Sequence, residues 1–90
     1  MAKKRERFDV IKDILATIRH NQNKIRPTRL LQLSNLSPKM FKDYINELLE
    51  TGLIEQNDSK DKKFYSLTEK GDKFLEKYRV FKDFIDNLGL

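Results

Sequence analysis

These 90 residues hold no grouping of reactive side chains at a spacing that reads as a catalytic centre. Cysteine is absent, and histidine occurs once, at His20, with nothing ligand-like beside it. No glycine-rich phosphate loop and no metal-ligand spacing occurs either. Asp58 and Asp61 fall in a turn-prone run and do not form a catalytic carboxylate pair, while Tyr65 and Tyr78 read as packing aromatics. Catalysis is therefore not expected, and neither a cofactor nor a metal is called for. What does recur at useful spacing is charge and hydrogen-bonding capacity. Ser37, Lys39, Met40, Lys42, Asp43 and Asn46 fall on one face if the run is helical. An amide such as Asn46 matches an adenine edge, and Lys39 or Lys42 matches guanine or phosphate. Ser37 and the backbone amides of a helix start suit a phosphate. Lys60, Lys62 and Lys63 form a second basic group, and Arg26 and Arg29 flank the first.

These groups need elements to hold them. Thr28 to Ser34 is a short helical run carrying Leu30, Leu31 and Leu33. Asn35-Leu36-Ser37 interrupts it, and Ser37-Pro38 starts another helix, with serine a favoured N-cap and proline suited to the first helical position. Phe41, Tyr44, Ile45, Leu48 and Leu49 then follow at three- and four-residue steps, and Gly52 stops the helix. With Phe41, Ile45 and Leu48 turned inward, the polar set faces out. The outward helix also carries Asp43, Glu47 and Glu50 against two lysines, so either these carboxylates turn away from a polyanion or this face does not meet one. Asp43 either accepts from a cytosine amino group or braces Lys39 four residues back.

Residues Met1 to Glu6 read as a frayed basic arm, followed by a helix from Arg7 to His20 with Phe8, Ile11, Ile14, Leu15 and Ile18 on one face. His20 is expected at its surface-exposed end. Pro27 biases Arg26 away from helix, so Lys24 to Pro27 is expected to be a short edge strand. Two brief strands, residues 53–57 and 63–67, enclose a charged loop from Asp58 to Lys62, with Phe64 and Leu67 packing inward on Leu53 or Ile54. Thr68 caps a last helix that runs to Leu88 and ends at Gly89. Its Phe74, Tyr78, Phe81, Ile85 and Leu88 recur at steps of four and three, flanked by Leu75 and Phe84, which is a heptad-type seam. The helix is longer than a small core requires, so Phe81, Phe84, Ile85 and Leu88 need a partner, expected to be a second copy of the chain.

Composition agrees. One domain fits in this length, with 38% hydrophobic and 37% charged residues. A core so small needs reinforcement, and without cysteine that points to self-association. The formal net charge of +5 and a pI near 9.5 favour a polyanionic partner. MAKKRER lacks the apolar core of a signal peptide, and no apolar run approaches membrane length, so a cytoplasmic protein without a membrane partner is expected.

The pattern Leu49-xx-Gly52-Leu53-Ile54-Glu55, followed by a charged stretch and Tyr65-x-Leu67-Thr68-Glu69-Lys70-Gly71, resembles the winged-helix transcription-regulator superfamily over most of residues 28–71. With its size, charge and single terminal seam, the chain is similar to small archaeal winged-helix DNA-binding proteins, some classed as chromatin proteins, that dimerise through an antiparallel coiled coil of the last helix. The resemblance implies a mainly α (α+β) fold, a winged helix-turn-helix with a two-stranded β-hairpin wing. It implies a DNA-binding domain at 1–67 and a dimerisation helix at 68–90. Double-stranded DNA would then be bound by a homodimer, with the 38–51 helix in the major groove and the 58–63 wing on the backbone or minor groove. Arg26, Arg29, Ser37, Lys39, Met40, Lys42, Asn46, Lys60, Lys62 and Lys63 are the expected DNA contacts. Phe74, Tyr78, Phe81, Phe84, Ile85 and Leu88 are the expected dimer contacts. Sequence-specific and backbone-driven binding stand as equals on these residues, and a protein-interaction scaffold is the competing reading. No effector pocket is legible in the sequence.

Overall fold

The computed structural model describes residues 3–89, and side chains from Arg7 onward. In chain order it holds α1 (Lys3–His20), α2 (Pro27–Ser34), α3 (Pro38–Glu50), β1 (Ile54–Ser59), β2 (Lys62–Leu67) and α4 (Glu69–Asn87). This is the helix-turn-helix with hairpin wing and long last helix that the sequence implies. The proposed basic arm is corrected in its backbone, which is already helical from Lys3; Met1, Ala2 and the side chains of residues 3–6 lie outside the described part.

Each boundary has a local cause. Pro27 opens α2, preceded by Arg26 in extended geometry. Asn35 closes it in the left-handed region at φ 60°, which asparagine tolerates. Ser37 caps α3 by accepting the Met40 amide at 3.3 Å. At its other end Leu53 N–H donates to the Leu48 carbonyl at 3.0 Å and Gly52 N–H to Leu49 at 3.2 Å, with Gly52 at φ +79°. That is a Schellman closure, and it needs the left-handed residue that Gly52 provides.

One core joins every element: Ile11, Ile14, Leu15 and Ile18 of α1, Leu30 of α2, Phe41, Ile45 and Leu48 of α3, Ile54, Tyr65 and Leu67 of the hairpin, and Leu75 of α4. Ile25 joins them and forms the expected edge bridge, exchanging hydrogen bonds with Tyr65 at 3.1 and 2.8 Å. Two readings are corrected here. Phe8 is 47% exposed because it sits in the second turn of α1, ahead of Ile11, where the buried part of that helix begins. On β2 the pleat points Tyr65 and Leu67 inward, so Phe64 lies half-buried on the opposite face, under the Lys24 ammonium at 4.6 Å.

The hairpin is also tighter than expected. β1 and β2 pair from Ile54↔Leu67 to Ser59↔Lys62, leaving only Lys60-Asp61 as the turn. Both turn residues have positive φ, 52° and 64°. That is the handedness a two-residue hairpin needs to match strand twist. The five-residue loop is therefore mostly strand.

The Thr68-Glu69-Lys70-Gly71 run docks α4. Thr68 Oγ1 accepts the Gly71 amide at 3.1 Å and donates to the Gly52 carbonyl, while Lys70 Nζ donates to Thr51 O at 2.6 Å. A Cβ on Gly71 would lie 2.2 Å from the Leu53 carbonyl oxygen, so only glycine permits this approach. The clasp binds the end of α3 to the start of α4. Beyond it α4 extends outward, and the molecule measures 49 × 26 × 21 Å. Among the described helices none is long and apolar enough to cross a membrane.

Candidate nucleic-acid interface

Phe41, Ile45 and Leu48 are buried at 8%, 3% and 1% exposure, which fixes the rotation of α3 about its axis. The other face is thereby presented outward: Ser37, Lys39, Met40, Lys42, Asp43, Asn46 and Glu50 are all exposed. Met40 is 48% exposed, an apolar tip amid polar neighbours and a shape suited to a thymine methyl. α3 packs on both α2 and β1, so its placement is set by the same body that carries the hairpin.

Two of the three acidic residues of α3 are held individually. Lys39 Nζ donates to Asp43 Oδ2 at 3.3 Å, the bracing arrangement of the two foreseen for Asp43. The Glu47 carboxylate accepts from the Arg7 guanidinium of α1. Arg7, which the sequence placed beside a loose arm, is thus a fixed partner of α3.

Lys60 occupies the hairpin turn, and Lys62 and Lys63 open β2, all three exposed. Lys63 stands across from Asp58. Three lysines against Asp58 and Asp61 leave the tip at plus one. Arg26 and Arg29, at the start of α2, are exposed too. All ten expected contacts are therefore at the surface, on three elements of one rigid core. Among the described residues no group of acidic or histidine side chains is arranged to hold a metal.

A second surface of a different kind lies along α4. Phe81, Phe84, Leu88 and Val80 are 55–64% exposed. Phe74 and Tyr78 stack with centroids 6.1 Å apart and are half-buried, and the Tyr78 hydroxyl donates to Asp9 of α1. With Phe8 and Ile85 they line an open apolar groove of about 580 Å³, rimmed by Lys77, Lys82 and Asp86. The terminal helix is thus divided: Gly71 and Leu75 belong to the chain's own core, and the outer turns do not. Sequence reading missed Val80 and Phe8. Val80 precedes Phe84 by four residues, a step that marks it as part of the stripe; Phe8 had no such signal, because its exposure depends on where α1 overhangs.

The same arrangement of elements occurs in known proteins. The family described as "Winged helix-turn-helix" matches residues 4–86. An uncharacterized protein of Methanocaldococcus jannaschii is 32% identical over 74 residues, covering 82% of this chain and 32% of the relative. The chain therefore spans about a third of that relative's length. Among solved structures, Sso10a-2, a DNA-binding protein from Sulfolobus solfataricus, superposes with a TM-score of 0.72 at 25% identity over 90% of this chain and 82% of that one. A winged-helix DNA-binding protein from STIV gives 0.70 at 24% identity, covering 78% and 83%. A MarR family transcriptional regulator from Silicibacter pomeroyi gives 0.73 at 22%, covering 97% and 60%. The latter two likenesses bear on fold alone.

Proposed function

This chain belongs to the winged helix-turn-helix family, and from that premise we propose that it binds double-stranded DNA as a homodimer, in a regulatory or chromatin-like role. One observation carries the reading. The core rotates α3 so that Ser37, Lys39, Met40, Lys42 and Asn46 stand clear of the body, with the lysine-bearing hairpin tip on the same scaffold. α3 enters the major groove with its N-terminal half leading, the docking that recognition helices use. Lys60, Lys62 and Lys63 meet the backbone or minor groove, and Arg26 and Arg29 reach flanking phosphates. The naming of the Sulfolobus neighbour as a DNA-binding protein supports the same reading.

The dimer is proposed from the face that one copy leaves uncovered. Phe81, Phe84, Ile85 and Leu88, with Phe74 and Tyr78 at the near end, pair with the same residues of a second copy. Val80 and Phe8 join them at the margins. Burying a large apolar side chain contributes about 1.5–3 kcal/mol, and the outer turns of two copies offer several such side chains against the entropy cost of association. The division at residue 68 is then one of role, since α4 also completes the core through Leu75.

Light-scattering mass combined with duplex titration at several salt concentrations tests both halves. The expected result is a dimer whose log affinity falls with log salt at about 0.9 per phosphate neutralised. A monomer, or binding insensitive to salt, would overturn the corresponding half.

A further inference from the structure

α3 carries Lys39 and Lys42 against Asp43, Glu47 and Glu50, a surplus of one negative charge on the helix assigned to a polyanion. Asp43 is held by Lys39 at 3.3 Å. Glu47 is the difficult one. At about 100° per residue it lies only about 20° around the helix from Met40 and about 40° from Asp43, on the stripe that faces the groove. The Arg7 guanidinium, arriving from the first turns of α1, binds its carboxylate.

We propose that Arg7 is a positioning residue for DNA binding: it draws the Glu47 carboxylate to the margin of α3 and cancels its charge. The helix then meets phosphate with no net repulsion. The inference rests on the DNA-binding reading. Arginine suits the role because its planar fork of donors matches a carboxylate. The pair is partly solvated, with side chains 44% and 35% exposed, and such pairs add little to fold stability. Its effect therefore falls on the potential at the interface, where an unmasked carboxylate faces several phosphates at once. Attraction to DNA then originates in the wing and the start of α2, leaving α3 electrically balanced and free to be selected by base edges.

The test compares wild type, Arg7→Ala, Glu47→Gln and the double variant by fluorescence anisotropy on a labelled duplex at about 50 and 200 mM salt, with thermal melts as control. Arg7→Ala is expected to bind about tenfold more weakly at the lower salt, with its melting temperature nearly unchanged. Glu47→Gln is expected to bind at least as tightly as wild type, and the double variant to return to within about twofold of it. Equal losses in Arg7→Ala and the double variant, with the salt slope reduced by about 0.9, would mean that Arg7 touches phosphate itself, and would overturn the inference. Unchanged binding in Arg7→Ala would overturn it as well. A wild-type chain that binds no duplex removes the DNA reading and this inference together, whereas binding without rescue removes this inference alone.

Discussion

Replacing Gly71 with alanine sets two physical effects against each other. Inside a helix, glycine to alanine ordinarily stabilises by about 1 kcal/mol. Here the new Cβ would sit 2.2 Å from the Leu53 carbonyl oxygen and 3.2 Å from its carbon. Backbone must move by about 1 Å to restore ordinary packing distances. Leu53 is poorly placed to move: its carbonyl accepts the Thr68 amide at 3.2 Å and its own amide is bound to Leu48 O at 3.0 Å. Overpacking of this kind costs about 1–3 kcal/mol, and losing the Thr68 bond adds about 1 kcal/mol. After the propensity gain, Gly71→Ala is expected to destabilise by about 1–3 kcal/mol. For a chain of this size that lowers the melting temperature by about 4–24 °C. Circular-dichroism melts at one fixed protein concentration measure it, since self-association makes melting concentration-dependent. Gly52→Ala is the internal control: nothing lies within 4 Å of its Cβ position, and only the φ of +79° is strained. Its cost is expected near 1 kcal/mol. Should Gly71→Ala melt at or above wild type, or lose less than Gly52→Ala, the steric account of the Thr68–Gly71 clasp is wrong.

Reversal of Lys60, Lys62 and Lys63 to glutamate is expected to weaken duplex binding and lower the salt slope by about 0.9 for each phosphate no longer neutralised; an unaltered titration would take DNA off the wing. Phe81→Glu or Ile85→Glu, which puts a charge into the apolar seam, is expected to give monomers in sedimentation, and Phe8→Glu a weakened dimer; an unchanged species in all three would place the interface elsewhere. Asn46→Ala is expected to cost about 1–3 kcal/mol on a preferred site and little on random duplex, so an equal loss on both would mean that Asn46 meets the backbone. Burial raises the Tyr65 phenol above its ordinary value, favouring the neutral form in the folded chain. Its contribution is then complete below the unfolded value of about 10 and is lost as pH rises through the folded one. Alkaline unfolding should accordingly be less steep in Tyr65→Phe, and identical curves for the two chains would refute this.

Most boundaries of the later helices were legible in the residues themselves, because each is a local event, whereas the start of α1 and the reach of the hairpin strands were not. Ser37-Pro38 starts a helix, Gly52 stops it, Thr68 caps the next and Gly89 ends it, and each depends on a few neighbouring backbone groups. The rotation of α3 was legible too, since three apolar residues at helical spacing leave one choice of inner face. What the chain alone left undecided were relations between residues far apart in sequence. Glu47 looked like an obstacle to a polyanion until folding set Arg7, 40 positions earlier, beside it. Phe8 has the spacing of a core residue, yet α1 overhangs and leaves it outside; the inward aromatic of β2 is Tyr65 because pairing register decides which side chains share a face. The glycine of the Thr68–Gly71 run is a recognisable signature in sequence, but its cause is a carbonyl that only the packed chain brings within reach. Short-range rules act through the backbone and can be read in order along it. Charge compensation, overhang and steric exclusion act through space, and only the folded chain says which residues meet.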